Sequence, residues 1–202
     1  QLRDDDNEEI MERAFLKLSF NYPIKQKSLK SENWGWQYYK CELEATETKS
    51  YIKVNFEYSS TCPCSLSMAK QYEMQYQAGI IDEGTGVAAA HAQRSNACVK
   101  IEIKEDSIFQ IEDLIDLIRL ALPTETQSLV KRLDEQAFAI LNGQNPMFVE
   151  HASKRLSKVL NSEKEILDWV ANIEHYESLH SHNAAAVIYK GIKYGLREDS
   201  VF

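Results

Sequence analysis

The chain has 202 residues, with 23 Lys or Arg against 31 Asp or Glu, which gives a formal net charge of −8. Its 44% hydrophobic content argues against a disordered or fibrous chain, and at roughly 100–200 residues per domain it can form one large domain or two small ones. The acidic balance argues against non-specific binding to nucleic acid, which requires clustered Lys and Arg. No stretch approaches the about 20 consecutive apolar residues that a membrane-spanning helix needs, so we expect neither a nucleic-acid nor a membrane partner.

In the first half of the chain, apolar and polar residues alternate, which predicts half-buried antiparallel strands. The alternating segments are 16–22, which closes at Pro23, 36–45, 51–58 and 97–103. Cys41 and Cys98 fall inside these segments and are predicted to be ordinary buried strand residues. Four cysteines are too few for a disulfide scaffold, so we predict reduced thiols in a cytoplasmic protein. Residues 69–87 show no clear period and are predicted to form a loop or a broken helix.

Helical spacing of apolar residues takes over in the second half. The predicted helices are 111–122, stopped by Pro123, Leu133–Leu141, ended by Asn142 and Gly143, and Phe148–Leu160. Ser107 and Gln110 are spaced as a capping box for the first helix. Residues 166–176 fit either a strand or a helix, and 184–191 are predicted to form a final strand. This order is typical of an α+β domain with helices on one face of an antiparallel sheet, and we predict one globular domain.

Cysteine and histidine residues cluster at two points of the sequence. Cys62 and Cys64 lie in STCPCS, directly after a strand, and a thiolate is both a soft-metal ligand and a nucleophile. The segment HYESLHSH contains three of the five histidines, and an extended backbone would put His180 and His182 on the same face. Each cluster fits a functional site or incidental packing, and the lone His91 of AAAHAQRS fits a ligand or a surface residue.

Carboxylates on the predicted helices also have two interpretations. Asp134 and Glu135 in KRLDEQAF, and Glu150 in MFVEHASKR, fit solvated helix faces or favourable acids of a first helical turn. They also fit oxygen ligands beside the cysteines and histidines. The chain has no P-loop, G-x-G-x-x-G, H-E-x-x-H or G-x-S-x-G motif. From the residues alone we predict a soft or borderline metal site built from Cys, His and Glu, of a kind that can support hydrolysis.

Taken together, STCPCS, HAQRS, VKRLDEQAF, FVEHA and ESLHSH resemble the prokaryotic GTP cyclohydrolase type IB family, whose motifs occur in this order. They span Ser60 to His182, and YPIKQKSLKSENWGW upstream is similar to the proteobacterial branch. The resemblance implies a tunnelling fold, in which antiparallel sheets with helices packed on one face assemble into a barrel between subunits. It also implies a homo-oligomer, expected to be a tetramer, with sites at the subunit interfaces. Because the family has two such units per chain, residues 1–202 are expected to be a single tunnelling-fold region or two tandem units with the first incomplete at the N-terminus.

The reaction that the resemblance implies converts GTP and water to 7,8-dihydroneopterin triphosphate and formate, the first step towards folate and other pterins. A divalent metal (Zn, Mn or Fe) is expected, and no organic cofactor. By motif, the implied metal ligands are Cys62, His91, Glu135 and His180. HAQRS lies farther from STCPCS than in short-loop members of the family, so His91 needs an ordered loop to reach the metal.

The other implied roles concern the substrate. Glu150 of FVEHA is similar to the guanine anchor of the family, although His151 follows it where many relatives have Asp. Arg94, Lys131 and Arg132 are candidates for the triphosphate, because arginine binds phosphate oxygens in a bidentate manner. Catalytic proton carriers near C8 and the ribose are expected to be Cys64, Glu177 and His182.

Two further functions compete with this interpretation. A tunnelling-fold nitrile reductase uses a cysteine as a covalent nucleophile with NADPH, and KQKSLKSEN is faintly similar to its lysine-rich signature. The histidines and HAQRS do not belong to that enzyme. A non-catalytic structural zinc module would instead close a tetrahedral site with Cys62, Cys64, His180 and His182.

Overall fold

The strands of residues 14–201, the part of the chain that this computed structural model describes, form one antiparallel sheet. Its six strands are hydrogen-bonded in chain order, so each strand pairs with its sequence neighbours. The elements are β1 (Phe15–Lys27), β2 (Trp34–Thr46), β3 (Ser50–Thr61), α1 (Pro63–Gln77), β4 (Ala92–Ile103), α2 (Ile111–Ala121), α3 (Arg132–Gln144), α4 (Val149–Ser162), β5 (Ile166–His175), β6 (Ala184–Tyr189) and a short 3-10 helix (Glu198–Val201). The predicted α+β class is therefore confirmed. In the described part of the chain, no helix is both long and apolar enough to cross a membrane.

One face of the sheet carries the hydrophobic core. Its buried side chains on the two central strands are Ile52, Val54, Phe56, Ala97, Val99 and Ile101. Helices α2 and α4 pack against each other and over β3, β5 and β6. Leu114, Ile115 and Ile118 of α2 are fully buried there, because helical spacing brings them to one side of the helix. The apolar face of the sheet and the apolar faces of the helices thus pack together as two layers, as the sequence predicts.

The first strand differs from its prediction in both length and burial. Pro23 lies inside β1, paired with Tyr38, and the strand continues to Lys27. β1 is an edge strand of the described sheet, where a residue without an N–H group is tolerated because only one side of the strand is paired. Leu16 and Leu18 are 55% and 49% exposed rather than half-buried, because the helices pack over β3, β5 and β6.

Two segments without a clear helical or strand signal acquire regular structure. Helix α1 covers residues 69–77, so the predicted loop or broken helix is wrong for that part. The helix has no apolar stripe, since Ala69 is its one buried residue, and this removes the periodic signal. Residues 166–175, which fit either a strand or a helix, form β5, and the final predicted strand is confirmed as β6.

The three predicted helices are confirmed with shifted ends. Helix α3 continues to Gln144, past its predicted end. The capping box of α2 consists of Gln110 and Asp113 rather than Ser107 and Gln110. Asp113 Oδ2 accepts the Gln110 N–H at 2.7 Å, whereas Ser107 Oγ accepts the N–H of Phe109. Burial of both strand cysteines, Cys41 and Cys98, is confirmed.

Candidate active site

The core face of the sheet becomes polar at the end where β3 leads into α1. The last core-face positions of β3 are Tyr58 and Ser60, and they pair with Ser95 and Gln93 of β4. All four residues are buried, as is His175, which lies opposite Ser95 on β5. Because strand alternation continues to this point, polar side chains occupy positions that are apolar farther along the sheet. We call these five residues the polar end.

A buried tyrosine–histidine pair lies at the polar end. Tyr58 Oη and His175 Nε2 are 2.8 Å apart. Burial lowers the pKa of His175 to about 4, against the smaller, opposing effect of the Glu150 charge. Burial also raises the pKa of Tyr58. Both side chains are therefore neutral near pH 7.

Gln93 makes four polar contacts beside this pair. Its Nε2 donates to Ser60 Oγ at 3.0 Å and to Glu177 Oε1 at 3.4 Å. Its Oε1 lies 3.1 Å from His91 Nδ1 and accepts from Ser178 Oγ at 3.4 Å. Two predicted site residues, His91 and Glu177, are thus joined through a glutamine to which the motifs assign no role.

The long connection between β3 and β4 begins and ends at the same place. The Cys62 N–H donates to the His91 carbonyl at 3.2 Å, and the His91 N–H donates to Ser65 Oγ at 3.2 Å. The Tyr72 hydroxyl of α1 donates to the Glu83 carbonyl at 2.9 Å, which ties the later part of the connection to the helix. The two ends of the connection therefore meet, and its length does not separate His91 from Cys62.

A pocket of about 580 Å³ opens at the polar end. His91 Nδ1 lies 3.8 Å from Glu177 Oε2 at this pocket. The rings of His180 and His182 stack with their centroids 5.2 Å apart, although their segment bends rather than extends. The predicted site residues that line the pocket are Cys62, Cys64, His91, Glu150, Glu177, His180 and His182.

The remaining predicted site residues lie outside this pocket. Arg94 and Glu135 line a second pocket of about 440 Å³, and Gln93 lines both pockets. Lys131 and Arg132 are exposed at the start of α3 and line neither pocket. This chain therefore does not bring the three basic residues expected at the triphosphate to the first pocket.

The four predicted metal ligands are not gathered at one point. Cys62, His91 and His180 line the first pocket, whereas Glu135 lines the second. Across residues 14–201, no three side chains of His, Cys, Asp or Glu form a group that could hold a metal ion. The position of Glu135 follows from that of α3, whose first turn is fixed by the preceding residue, Asp134.

Asp134 is buried, so the interpretation that it belongs to a solvated helix face is wrong. Its carboxylate accepts the N–H groups of Lys30 at 2.7 Å and Ser31 at 2.9 Å, both in the β1–β2 connection. It also accepts the Lys131 N–H at 2.8 Å, at the start of α3. These hydrogen bonds, above all the one from the Ser31 hydroxyl, hold the pKa of Asp134 well below its usual range. Asp134 thus joins α3 to the β1–β2 hairpin.

Comparison with known proteins places the chain in a family. The family model described as type I GTP cyclohydrolase folE2 matches residues 2–186. GTP cyclohydrolase FolE2 of Cereibacter sphaeroides is 42% identical over 182 residues, which cover 88% of this chain and 48% of that protein. GTP cyclohydrolase FolE2 of Hydrogenovibrio crunogenus is 36% identical over an alignment of 212 positions, which covers 96% of this chain and 68% of that protein. The chain belongs to the type I GTP cyclohydrolase folE2 family.

The family assignment confirms the general resemblance that the motifs carry. The description of the matched family does not contain the type IB label, so that subtype stays a prediction. The chain spans about half the length of its Cereibacter relative, 48% of that protein.

Proposed function

We propose that this chain forms the site of a metal-dependent GTP cyclohydrolase I, which converts GTP and water to 7,8-dihydroneopterin triphosphate and formate. The observation that carries the proposal is the pocket at the polar end, which is lined by thiol, imidazole and carboxylate side chains. The family match supports the same activity. The proposal makes the protein a hydrolase that acts on the C–N bonds of the guanine imidazole ring.

The donor types that line the first pocket suit a divalent metal, although their side chains would have to move closer together to bind one. Cys62 and His91 are brought together by a backbone hydrogen bond of 3.2 Å, and His180 lines the same pocket. A mixed set of sulfur and nitrogen donors suits Zn and also Fe or Mn. Glu135 lines the second pocket and is therefore not part of this donor set. A metal bound by these residues would lower the pKa of a coordinated water to about 7 and so supply a nucleophile near neutral pH. No organic cofactor is part of the proposal.

Glu150 is the proposed guanine anchor. A carboxylate can accept the N1–H and one N–H of the 2-amino group of guanine together, since both donors lie on the same edge of the base. Glu150 lies in the first turn of α4, where the helix dipole favours a negative charge. Its carboxylate lies at the wall of the pocket, where it can accept these two hydrogen bonds.

Proton transfer is assigned to Cys64, Glu177 and His182, which line the same pocket. Two water molecules are consumed at C8 of guanine as the two C–N bonds of the imidazole ring break and formate leaves. The rearranged ribose then condenses with the freed amine to close the pterin ring, which releases one water, so the overall reaction uses one. Each bond cleavage places a proton on a ring nitrogen, so donors and acceptors are needed beside C8 and the ribose. Glu177 is held at this position by the Gln93 amide, 3.4 Å from its Oε1.

The proposed assembly is a homo-oligomer, with a tetramer as the expected size, built on a tunnelling fold. Leu16, Leu18 and Phe20 of the edge strand β1 are exposed, which suits packing against another copy. The arrangement would also let basic residues of another subunit complete a triphosphate site with Arg94, Lys131 and Arg132. A cytoplasmic location is proposed with it.

Metal analysis combined with a GTP assay tests this function. Formate release that a chelator abolishes and that added Mn²⁺ or Zn²⁺ restores is the expected result. Tight stoichiometric zinc without GTP turnover would overturn the proposal and favour the structural zinc module. Oxidation of NADPH with a nitrile substrate would favour the nitrile reductase.

A further inference from the structure

Gln93 of HAQRS is a buried polar residue between two pockets. It is 8% exposed and lines both the first and the second pocket. Its side chain has two N–H donors and two acceptor lone pairs, and the four contacts described above use all of them. Three of these partners, the two hydroxyls and the imidazole, can each donate or accept, whereas a carboxylate only accepts, so turning the amide over would face its oxygen with the Glu177 oxygen.

The Glu177 contact fixes that orientation. An ionised carboxylate can only accept, so the atom of Gln93 that lies 3.4 Å from Glu177 Oε1 must be the NH₂ nitrogen. The second N–H of that nitrogen then points to Ser60 Oγ at 3.0 Å. The amide oxygen of Gln93 must consequently face His91 Nδ1, which is 3.1 Å away.

The orientation of the amide determines the tautomer of His91. An amide oxygen can only accept, so His91 Nδ1 must carry its proton, and a neutral imidazole then has its lone pair on Nε2. Glu177 Oε2, at 3.8 Å from the same Nδ1, favours the same tautomer. Within residues 14–201, no side chain forms a hydrogen bond with Nε2.

We propose that Gln93 is a positioning residue that holds His91 in the Nδ1–H tautomer and so presents the Nε2 lone pair to the first pocket. This inference rests on the proposed function only for the use of that lone pair, which is to bind the metal. Histidine ligands of metals generally donate their second ring N–H to a carbonyl or carboxylate oxygen, which orients the ring and raises its basicity. Gln93 supplies this oxygen and, through its nitrogen, holds Glu177 beside the same ring.

Nitrogen-15 NMR of the full chain with labelled histidine tests the tautomer directly. The spectrum is recorded without GTP and after chelation of metals, above the ordinary imidazole pKa of about 6.5. The signals of His91 are assigned by their loss in a His91→Gln variant. We expect a protonated Nδ1 and an unprotonated Nε2 in the wild type, and a mixture of both tautomers in Gln93→Met, which lacks the acceptor.

Ser95→Ala is the matched control, since it removes a buried hydroxyl that contacts Ser60 but not Gln93. It should leave the His91 tautomer unchanged. If Gln93→Met does not fold, the wild-type spectrum still decides, because the proposal requires the proton of the neutral His91 ring to be on Nδ1. A wild-type His91 protonated on Nε2, or a Gln93→Met protein with the wild-type tautomer, would overturn the proposal.

Zinc affinity, measured by competition with a chelator, tests the consequence. Gln93→Met should bind zinc about 10–100-fold more weakly than the wild type, and Ser95→Ala should bind it equally well. Equal zinc affinity in Gln93→Met would overturn the positioning role. Because the tautomer is read without metal or GTP, this test and the test of cyclohydrolase activity can fail independently.

Discussion

The two ends of the core face are equally buried and chemically opposite. Ile101 of β4 and Trp169 of β5 are apolar, and they are 0% and 2% exposed. Along the same two strands, Ser95 and His175 are polar, and they are also 0% and 2% exposed. Burial alone therefore does not separate core from site in this sheet. The distinction lies in whether buried groups pack or hydrogen-bond, and the pocket opens where they hydrogen-bond.

The largest effect expected at the polar end follows replacement of Cys62. Cys62→Ala should abolish GTP turnover and metal binding, because it removes the thiolate ligand of the proposed site. Cys98→Ala is the control, since Cys98 is buried on the other face of the sheet, against Val201 and Val170. Turnover and metal content are measured on both proteins. Retention of metal by Cys62→Ala would reject its role as a ligand.

Replacement of a buried residue under the apolar end should affect stability instead. Ile118→Ala creates a cavity beneath α2 and should lower the free energy of unfolding by about 2–5 kcal/mol, with turnover retained at temperatures where the protein is folded. Leu120 lies on the same helix and is 73% exposed, so Leu120→Ala should change stability by no more than about 0.5 kcal/mol. Denaturant unfolding compares the two. Equal losses would contradict the packing described for α2.

Replacement of the proposed guanine anchor should weaken substrate binding and leave the metal in place. Glu150→Gln puts an N–H donor opposite the N–H donors of guanine, and we expect a loss of about 1.5–3 kcal/mol in GTP binding, or roughly 10–100-fold in affinity. Glu163→Gln makes the same change at the other end of α4 and serves as the control. GTP affinity and zinc content are measured on both. Loss of zinc in Glu150→Gln would show that this carboxylate is a metal ligand.

Acid should destabilise the polar end through His175. Its pKa is lowered from 6.5 to about 4 in the folded protein, so the unfolded state binds the proton more readily between these two pH values. Its contribution to stability is therefore complete above pH 6.5 and falls as the pH drops towards 4, by on the order of 3 kcal/mol. His175→Asn should flatten this part of the stability–pH curve. An unchanged slope in the variant would contradict a buried neutral histidine.

Much of the fold could be predicted from the sequence because its strands are buried on one face. Alternation located β2, β3 and β4, and helical spacing located α2 and α4, since each of these elements packs an apolar side against the other layer. Helix α1 was missed because its surface has no apolar stripe, and the end of β1 because an edge strand tolerates Pro23. Elements that contribute little to the core leave a weak periodic signal.

The site could be predicted only in part, for a related reason. Cys62 and His180 can be recognised as candidates by residue type, because cysteine and histidine are common metal ligands. The family motifs supplied His91 and Glu150. Gln93 was missed because an amide is neither charged nor a common metal ligand, and its role depends on the pairing of β3 with β4. The continuation of strand alternation into buried polar residues, Tyr58 and Ser60 on one strand and Gln93 and Ser95 on the next, is the signal that could have revealed it.

The pocket at the polar end is proposed to open the imidazole ring of GTP. GTP labelled with carbon-13 at C8 tests this directly, because formate must carry that carbon if the ring is cleaved there. We predict labelled formate and an unlabelled pterin triphosphate from the metal-loaded wild-type protein, and neither from Cys62→Ala. Release of phosphate with the label still in the guanine base, or no product from the metal-loaded protein, would contradict the account.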